Sequence, residues 1–205
     1  MASIDRKQIA VAALAIVDER GPRALTMRAV ADALGVTAMA LYHYVDDKTA
    51  LVALLVDEAI GDRPLPSPTG AGWQEDVLEL ARWMRGGAQL HPGIASLRQE
   101  HRVWTPTVMS LGERWLGLWL QSGLPLDAAA EAAMTTLMAI NGMIDQEAAR
   151  PSFDLPDDEA LAWFPNLRIA FTEDRDHDAA FEVVVRSVVT GAHRELVERA
   201  ATRSG

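Results

Sequence analysis

Apolar residues recur every three or four positions along most of the chain, and this spacing predicts amphipathic helices. In residues 5–20, Ile9, Ala13 and Ile16 share one face, and Gly21 follows as a stop signal. Further helices are predicted, in chain order, at residues 27–34, 38–44, 48–62, 73–90, 106–122, 126–149 and 178–199. Residues 151–178 contain prolines and clustered acids and are predicted to form a loop with one or two helical turns. No segment predicts a sheet, so we expect an all-α fold.

One segment, RPLPSPTGAG at residues 63–72, concentrates proline, glycine and serine and predicts a linker loop. The chain before this linker is predicted to form a small head, residues 1–47, and a connecting helix, residues 48–62. The chain after it, residues 73–205, is predicted to form a helical-bundle body.

Two short predicted helices, residues 27–34 and 38–44, are separated only by Gly-Val-Thr. Gly35 supplies the positive φ that ends the first helix, and Thr37 can cap the second. This is the short glycine-containing turn of a helix-turn-helix. Because helix residues three and four apart share a face, Leu41 is expected to point into the core while its neighbours project outward.

The outward face of residues 38–44 carries small residues and rings, a combination that suits a DNA groove. Alanines allow the helix backbone to approach base edges, a methionine methyl can contact thymine methyls, and tyrosine and histidine rings can reach phosphates. The predicted DNA contacts are Arg28, Thr37, Ala38, Met39, Ala40, Tyr42, His43, Tyr44 and Lys48. Packing against the core is the alternative for Tyr44. The acids Asp46 and Asp47 are explained as a helix cap.

These residues resemble the DNA-binding region of the tetracycline-repressor (TetR) family of bacterial transcriptional regulators. ALYHYVDDKTALV matches the family pattern Leu-Tyr-x-x-Val/Phe-x-x-Lys-x-x-Leu, and the resemblance covers about the first 60 residues. It implies a three-helix, helix-turn-helix DNA-binding head joined to a helical-bundle body that binds a small molecule and dimerises. The body also resembles the tetracycline-repressor subgroup at GAGWQEDV, HPG and NGMIDQEAA.

Two departures from the family pattern affect the expected DNA recognition. Asp46 and Asp47 occupy a turn that often carries a basic or neutral residue. Ala38 and Ala40 offer no side-chain hydrogen bonds, so operator specificity is expected to depend on shape and methyl contacts.

The body carries all six tryptophans of the chain and most of its methionines, which are the residues expected around a flat or aromatic ligand. Trp115 and Trp119 are four positions apart and share a helix face, although tryptophans at helical spacing are also ordinary core residues. The predicted ligand-binding residues are His91, His101, Trp104, Met109, Trp115, Trp119, Met138 and Asn141. We therefore expect a small, largely apolar or aromatic effector.

Composition narrows the remaining possibilities. The chain has no cysteine, which excludes disulfides and thiolate metal sites, and its net charge of −10 argues against a general nucleic-acid-binding field but not against a local one. No apolar run is long enough for a membrane span and no secretory signal is present, so a cytoplasmic location is expected. No metal site or cofactor is predicted, although a metal accompanying the effector stays open.

An enzyme and a helical interaction protein are the two rival functions. The enzyme has little support because the sequence lacks a paired-histidine metal motif, a phosphate-binding glycine loop and a nucleophile motif. The acidic turn at Asp46 and Asp47 is the only hint of lost DNA binding. The favoured partners are a palindromic double-stranded DNA operator, a small-molecule effector and a second copy of the chain, because palindromic half-sites require a two-fold symmetric dimer.

Overall fold

The computed structural model describes residues 4–149, 157–172 and 176–203, and within these ranges the regular structure is helical, without strands. The predicted all-α fold is therefore confirmed. The helices are α1 (Arg6–Arg20), α2 (Met27–Ala33), α3 (Ala38–Leu41), α4 (Lys48–Gly61), α5 (Trp73–Leu90), α6 (Ile94–Glu100), α7 (Pro106–Leu120), α8 (Leu126–Ala149), α9 (Asp158–Ala162), α10 (Pro165–Thr172) and α11 (His177–Arg203). Part of the predicted loop at residues 151–178 lies outside the described residues.

Two features of the helix pattern differ from the prediction. The helix predicted at residues 38–44 ends at Leu41, because the amides of His43 and Tyr44 bond carbonyls three residues earlier and tighten the chain into a turn. The seven-residue helix α6 was not predicted, since its apolar pattern is short and follows the His-Pro-Gly break.

Local capping explains where the head helices begin. Asp5 and Gln8 form a reciprocal capping box at the start of α1. Thr26 and Thr37 accept hydrogen bonds from the amides at the starts of α2 and α3, at 3.0 and 3.2 Å. Asp47 does the same for α4, at 2.8 Å, which agrees with the capping role predicted for the acidic pair.

The head has its own hydrophobic core, formed by α1, α2, α3 and α4 and completed by α6. Leu41 and Val45 are fully buried in it, which agrees with the inward face predicted for α3. Ile94 and Leu97, on α6, and the following Val103 belong to the same cluster. A helix from the segment predicted as body therefore forms part of the head core.

A second core lies among α5, α7, α8 and α11 and is centred on Trp115, Trp119 and Phe181. Arg85 crosses this core with its guanidinium stacked on Phe181 and bonded to two acids, Glu147 on α8 and Asp178 on α11. The pKa of Arg85 is raised above its ordinary value, chiefly by the hydrogen bonds to Glu147. This ion-pair cluster fixes three helices of the body relative to one another.

None of the helices in the described part of the chain combines the length and apolar character needed to cross a membrane.

Candidate nucleic-acid interface and ligand cavity

The head presents one face of α3 and the following turn to solvent. Met39 is 72% exposed and Tyr42 is 48% exposed, although both belong to residue types that are usually buried. The turn before α3 is closed by Gly35, at φ +66°, and by a hydrogen bond from the amide of Val36 to the carbonyl of Ala31. This geometry holds α3 against α2 while leaving its outer face free.

The other predicted DNA contacts surround this face. Arg28, Thr37 and His43 are exposed, whereas Ala38, Ala40, Tyr44 and Lys48 are half-buried. Tyr44 packs against the head core, which agrees with the packing alternative for this residue. The guanidinium of Arg28 lies 3.9 Å from the carboxylate of Asp32, an exposed pair that is too weak to prevent Arg28 from contacting DNA.

A cavity of about 230 Å³ lies where the end of α4 meets α5, α6, α7 and α8. Its wall is mostly apolar, with polar and charged groups at a few positions. The lining residues include Arg63, Trp83, Gly87, His91, Ala95, Arg98, Trp104, Gly112, Trp115, Asn141 and Asp145. A small apolar cavity with a few converging polar groups is the usual form of a ligand site.

The cavity brings together half of the predicted ligand residues: His91, Trp104, Trp115 and Asn141. The other half lies outside its lining. Trp119 is fully buried against Trp73, with ring centroids 5.0 Å apart. Trp115 and Trp119 share a helix face, but Trp115 lines the cavity whereas Trp119 lies in the body core.

Three predicted ligand residues occupy other environments. Met109 and Met138 are largely exposed at the surface. The Nδ1 atom of His101 lies 3.3 Å from the hydroxyl of Thr49, at the start of α4. None of these three residues belongs to the cavity lining, so the structure does not support the ligand role predicted for them.

Sequence reasoning missed the two arginines of the cavity, Arg63 and Arg98. Each lies over a tryptophan ring, with Arg63 4.6 Å from the centroid of Trp83 and Arg98 5.9 Å from that of Trp104. The available signal was the pair Gly86-Gly87 inside α5, since glycine is unfavourable in a helix interior unless something approaches the backbone closely.

The cavity and the head share a wall. His91 lines the cavity, and its Nδ1 atom donates a hydrogen bond of 2.8 Å to Asp18 on α1. At Gly93 a Cβ atom would lie only 2.6 Å from a methyl of Val17, so α6 begins in direct backbone contact with α1. The turn that leads into α6 therefore contacts both the cavity and α1.

No cluster of three or more histidine or acidic side chains with metal-binding geometry occurs in residues 4–149, 157–172 and 176–203.

This architecture defines a helix-turn-helix DNA-binding head coupled to a helical body with a ligand cavity. Two family descriptions match the chain: bacterial regulatory proteins of the tetR family, over residues 9–55, and the tetracyclin repressor-like C-terminal domain, over residues 65–196. The chain belongs to the tetR family of bacterial transcriptional regulators. Members of this family are DNA-binding regulators and not enzymes, which removes the rival enzyme function.

Individual relatives agree with this assignment. Tetracycline repressor protein class D of Escherichia coli is 26% identical over 206 residues, covering 96% of this chain and 92% of that protein. The HTH-type transcriptional repressor DrrR1 of Streptomyces coeruleorubidus is 32% identical over 123 residues, covering 60% of this chain. The chain spans about half the length of two curated relatives, 45% of DrrR1 and 47% of an HTH-type transcriptional regulator of Saccharopolyspora erythraea.

Among solved structures, ActR of Streptomyces coelicolor in complex with (S)-DNPA superposes with a TM-score of 0.75 at 25% identity. The match covers 94% of this chain and 98% of the ActR chain, so the correspondence includes both head and body.

Proposed function

We propose that the protein is a repressor that binds a palindromic operator as a homodimer and releases it when a small, largely apolar or aromatic effector enters the cavity. The observation that carries the proposal is the position of α6, which forms part of the cavity wall and part of the head core. The relative DrrR1 is a transcriptional repressor, and ActR binds (S)-DNPA and actinorhodin in its crystal structures.

The proposed DNA surface consists of the exposed face of α3 with flanking groups from α2 and α4. Met39 and Tyr42 offer apolar and hydroxyl contacts, and Arg28 offers a guanidinium for a guanine edge or a phosphate. Lys48 is the first residue of α4, directly after the turn that follows α3, so its ammonium group is placed to contact a phosphate. The proposed domain division is a DNA-binding head at 1–47, a connecting helix at 48–62, a linker at 63–72 and a body at 73–205.

The proposed dimer surface is formed by the outer faces of α8 and α11. Leu126, Met134 and Met138 are exposed at four- and eight-residue spacings on α8, and Val183 and Val197 are exposed on one face of α11. Large apolar side chains aligned on two long helices are characteristic of an association surface. A two-fold axis through this surface would place two heads on one side of the dimer, as a palindromic operator requires.

The proposed switch follows from the shared wall. An effector that binds the free protein more tightly than the DNA-bound protein shifts the population away from the operator-binding arrangement. α6 transmits this shift, because His91 and Gly93 at its start contact α1, while Leu97 packs in the head core. A change in the separation or tilt of the two heads then mismatches the half-sites.

The proposal is tested by selecting bound duplexes from a random library at about 0.1 M salt, where non-specific attraction is partly screened. The expected result is enrichment of a palindrome whose half-sites are about one helical turn apart or a multiple of it. Tyr42→Ala should lose that enrichment while remaining a dimer. A folded wild-type protein that enriches no sequence would contradict the proposal and favour a helical interaction protein.

A further inference from the structure

The cavity holds two guanidinium groups, those of Arg63 and Arg98, that have no acidic partner among the described residues. No carboxylate of the described residues lies within 4.0 Å of either Arg63 or Arg98. By contrast, Arg82 and Arg85 on the neighbouring helix α5 both form ion pairs with acids of α11. Among the described residues, the two arginines that line the cavity therefore carry positive charge without an ion pair, whereas the neighbouring arginines of α5 are neutralised.

Arg63 occupies a cradle made by the two consecutive glycines of α5. Its Nη1 atom lies 2.5 Å from the position a Cβ would take at Gly87, and its Nη2 atom lies 3.2 Å from that position at Gly86. Only glycine leaves room for the guanidinium here. Nη1 donates a hydrogen bond of 2.8 Å to the carbonyl of Trp83, and the group lies over the ring of the same residue.

The cradled guanidinium retains unused hydrogen-bonding capacity. A guanidinium has five N–H donors, and the described contacts of Arg63 use one of them. Burial lowers the pKa of Arg63 below its ordinary value, as expected for a charge that has lost solvent without gaining a partner.

The other charges of the cavity leave this site open to an anion. Asp145 lines the cavity as an exposed carboxylate but forms no ion pair with Arg63 or Arg98. His91 is bonded to Asp18 on α1 and is therefore already occupied. In a chain with a net charge of −10, the cavity lining thus carries two arginines that form no ion pair within the described residues.

We propose that the effector is an aromatic anion whose carboxylate or sulfonate group binds Arg63 and Arg98. A planar guanidinium can form paired, charge-assisted hydrogen bonds with a carboxylate or sulfonate. The tryptophan rings that contact the two arginines offer an apolar surface on which the aromatic part of the effector can pack. This inference rests on the proposed effector cavity and specifies the chemical class of molecule that the cavity takes.

The test uses two fluorescent probes that differ mainly in one charged group: 8-anilinonaphthalene-1-sulfonate, and its neutral counterpart N-phenyl-1-naphthylamine. Dissociation constants are measured by fluorescence titration, and only the binding that Ala95→Trp eliminates by filling the cavity is counted. The wild-type protein should bind the sulfonate at least tenfold more tightly than the neutral probe.

Arg63→Gln should weaken sulfonate binding by about tenfold and leave neutral-probe affinity within about twofold. Gly87→Ala should reproduce this selective loss, because the new Cβ displaces the guanidinium while the helix gains a better helix former. Arg6→Gln is the matched control, since Arg6 is an exposed arginine of α1 outside the cavity lining, and it should change neither affinity.

The outcomes separate this inference from the proposed function. Equal wild-type affinity for the two probes, or an equal loss of both in Arg63→Gln and Gly87→Ala, would overturn the aromatic-anion inference while leaving an apolar effector cavity intact. Absence of cavity binding by both probes would overturn the inference and the proposed effector cavity together.

Discussion

Replacing Gly93 by alanine tests the contact between the cavity wall and the head. The backbone of Gly93 is in the right-handed helical region, at φ −82° and ψ −13°, so alanine can adopt it without strain. The added Cβ would lie 2.6 Å from a methyl of Val17 and 2.9 Å from the Cγ atom of Pro22. Carbon atoms pack at about 3.5–4.0 Å, so α6 must move away from α1.

Two opposing terms set the size of the effect. Forcing an extra methyl group into a packed site destabilises the folded state by about 1–3 kcal/mol. Replacing glycine by alanine at a compatible backbone position stabilises the fold by about 0.4–1 kcal/mol, because it lowers the conformational entropy of the unfolded chain. The net expectation is a loss of about 1–2 kcal/mol in the free energy of unfolding. For a chain of this size, this corresponds to a Tm lower by about 2–8 °C.

The assay is thermal unfolding followed by circular dichroism, with all variants at one protein concentration because dimerisation contributes to stability. Gly112→Ala is the matched control. Gly112 lies within α7 and lines the cavity, but a Cβ there meets no atom within 4 Å, so this variant should be as stable as the wild type or slightly more stable. If the Tm of Gly93→Ala equalled that of Gly112→Ala, the close contact between α6 and α1 would be refuted.

Three further predictions concern the DNA face, the body core and the linker. Lys48→Gln should weaken operator binding and reduce the slope of log affinity against log salt by about one, as expected for loss of one phosphate contact. Arg85→Met should lower the free energy of unfolding in urea by about 2–3 kcal/mol, because it removes the guanidinium that bonds Glu147 on α8 and Asp178 on α11. The pKa of Asp76 is lowered chiefly by a hydrogen bond from the amide of Thr69, so its stabilising effect is present above the pKa of the unfolded state and lost as pH falls through the folded value. Asp76→Asn should therefore lower Tm at pH 7 and have little effect at pH 2.

Each of these predictions has its own control and contradictory result. Lys7 lies at the exposed start of α1, and Lys7→Gln should leave the slope of log affinity against log salt unchanged. If both lysine variants changed this slope equally, the assignment of Lys48 as a specific phosphate contact would be wrong. If Arg85→Met had the same free energy of unfolding as the wild type, the ion-pair cluster would contribute nothing to folding. A Tm difference for Asp76→Asn that is independent of pH would contradict the depressed pKa.

The sequence predicted those parts of the molecule that local interactions determine. The helix spacing, the capping threonines and the glycine turn placed the helix-turn-helix correctly, because all of these act over a few residues. Helix α6 was missed because it is stabilised by long-range packing of Ile94 and Leu97 in the head core and not by its own sequence pattern.

The cavity lining was predicted less completely than the helix-turn-helix fold, again for physical reasons. Helical spacing indicates that Trp115 and Trp119 share a face but does not determine which ring meets the cavity and which meets the core. Arg63 lies in the linker, where no periodicity applies, and its position depends on Gly86 and Gly87 far along the chain. Its role follows from tertiary structure alone.

The most direct test of the account is the operator affinity of a variant whose cavity is permanently filled. Ala95→Trp places a large ring in the cavity from α6, and Met109→Trp places the same ring at an exposed position outside the lining. The account predicts that Ala95→Trp remains a folded dimer, no longer binds N-phenyl-1-naphthylamine, and binds the selected operator at least about fivefold more weakly than the wild type or Met109→Trp. Wild-type operator affinity in a folded, cavity-filled Ala95→Trp dimer would contradict it.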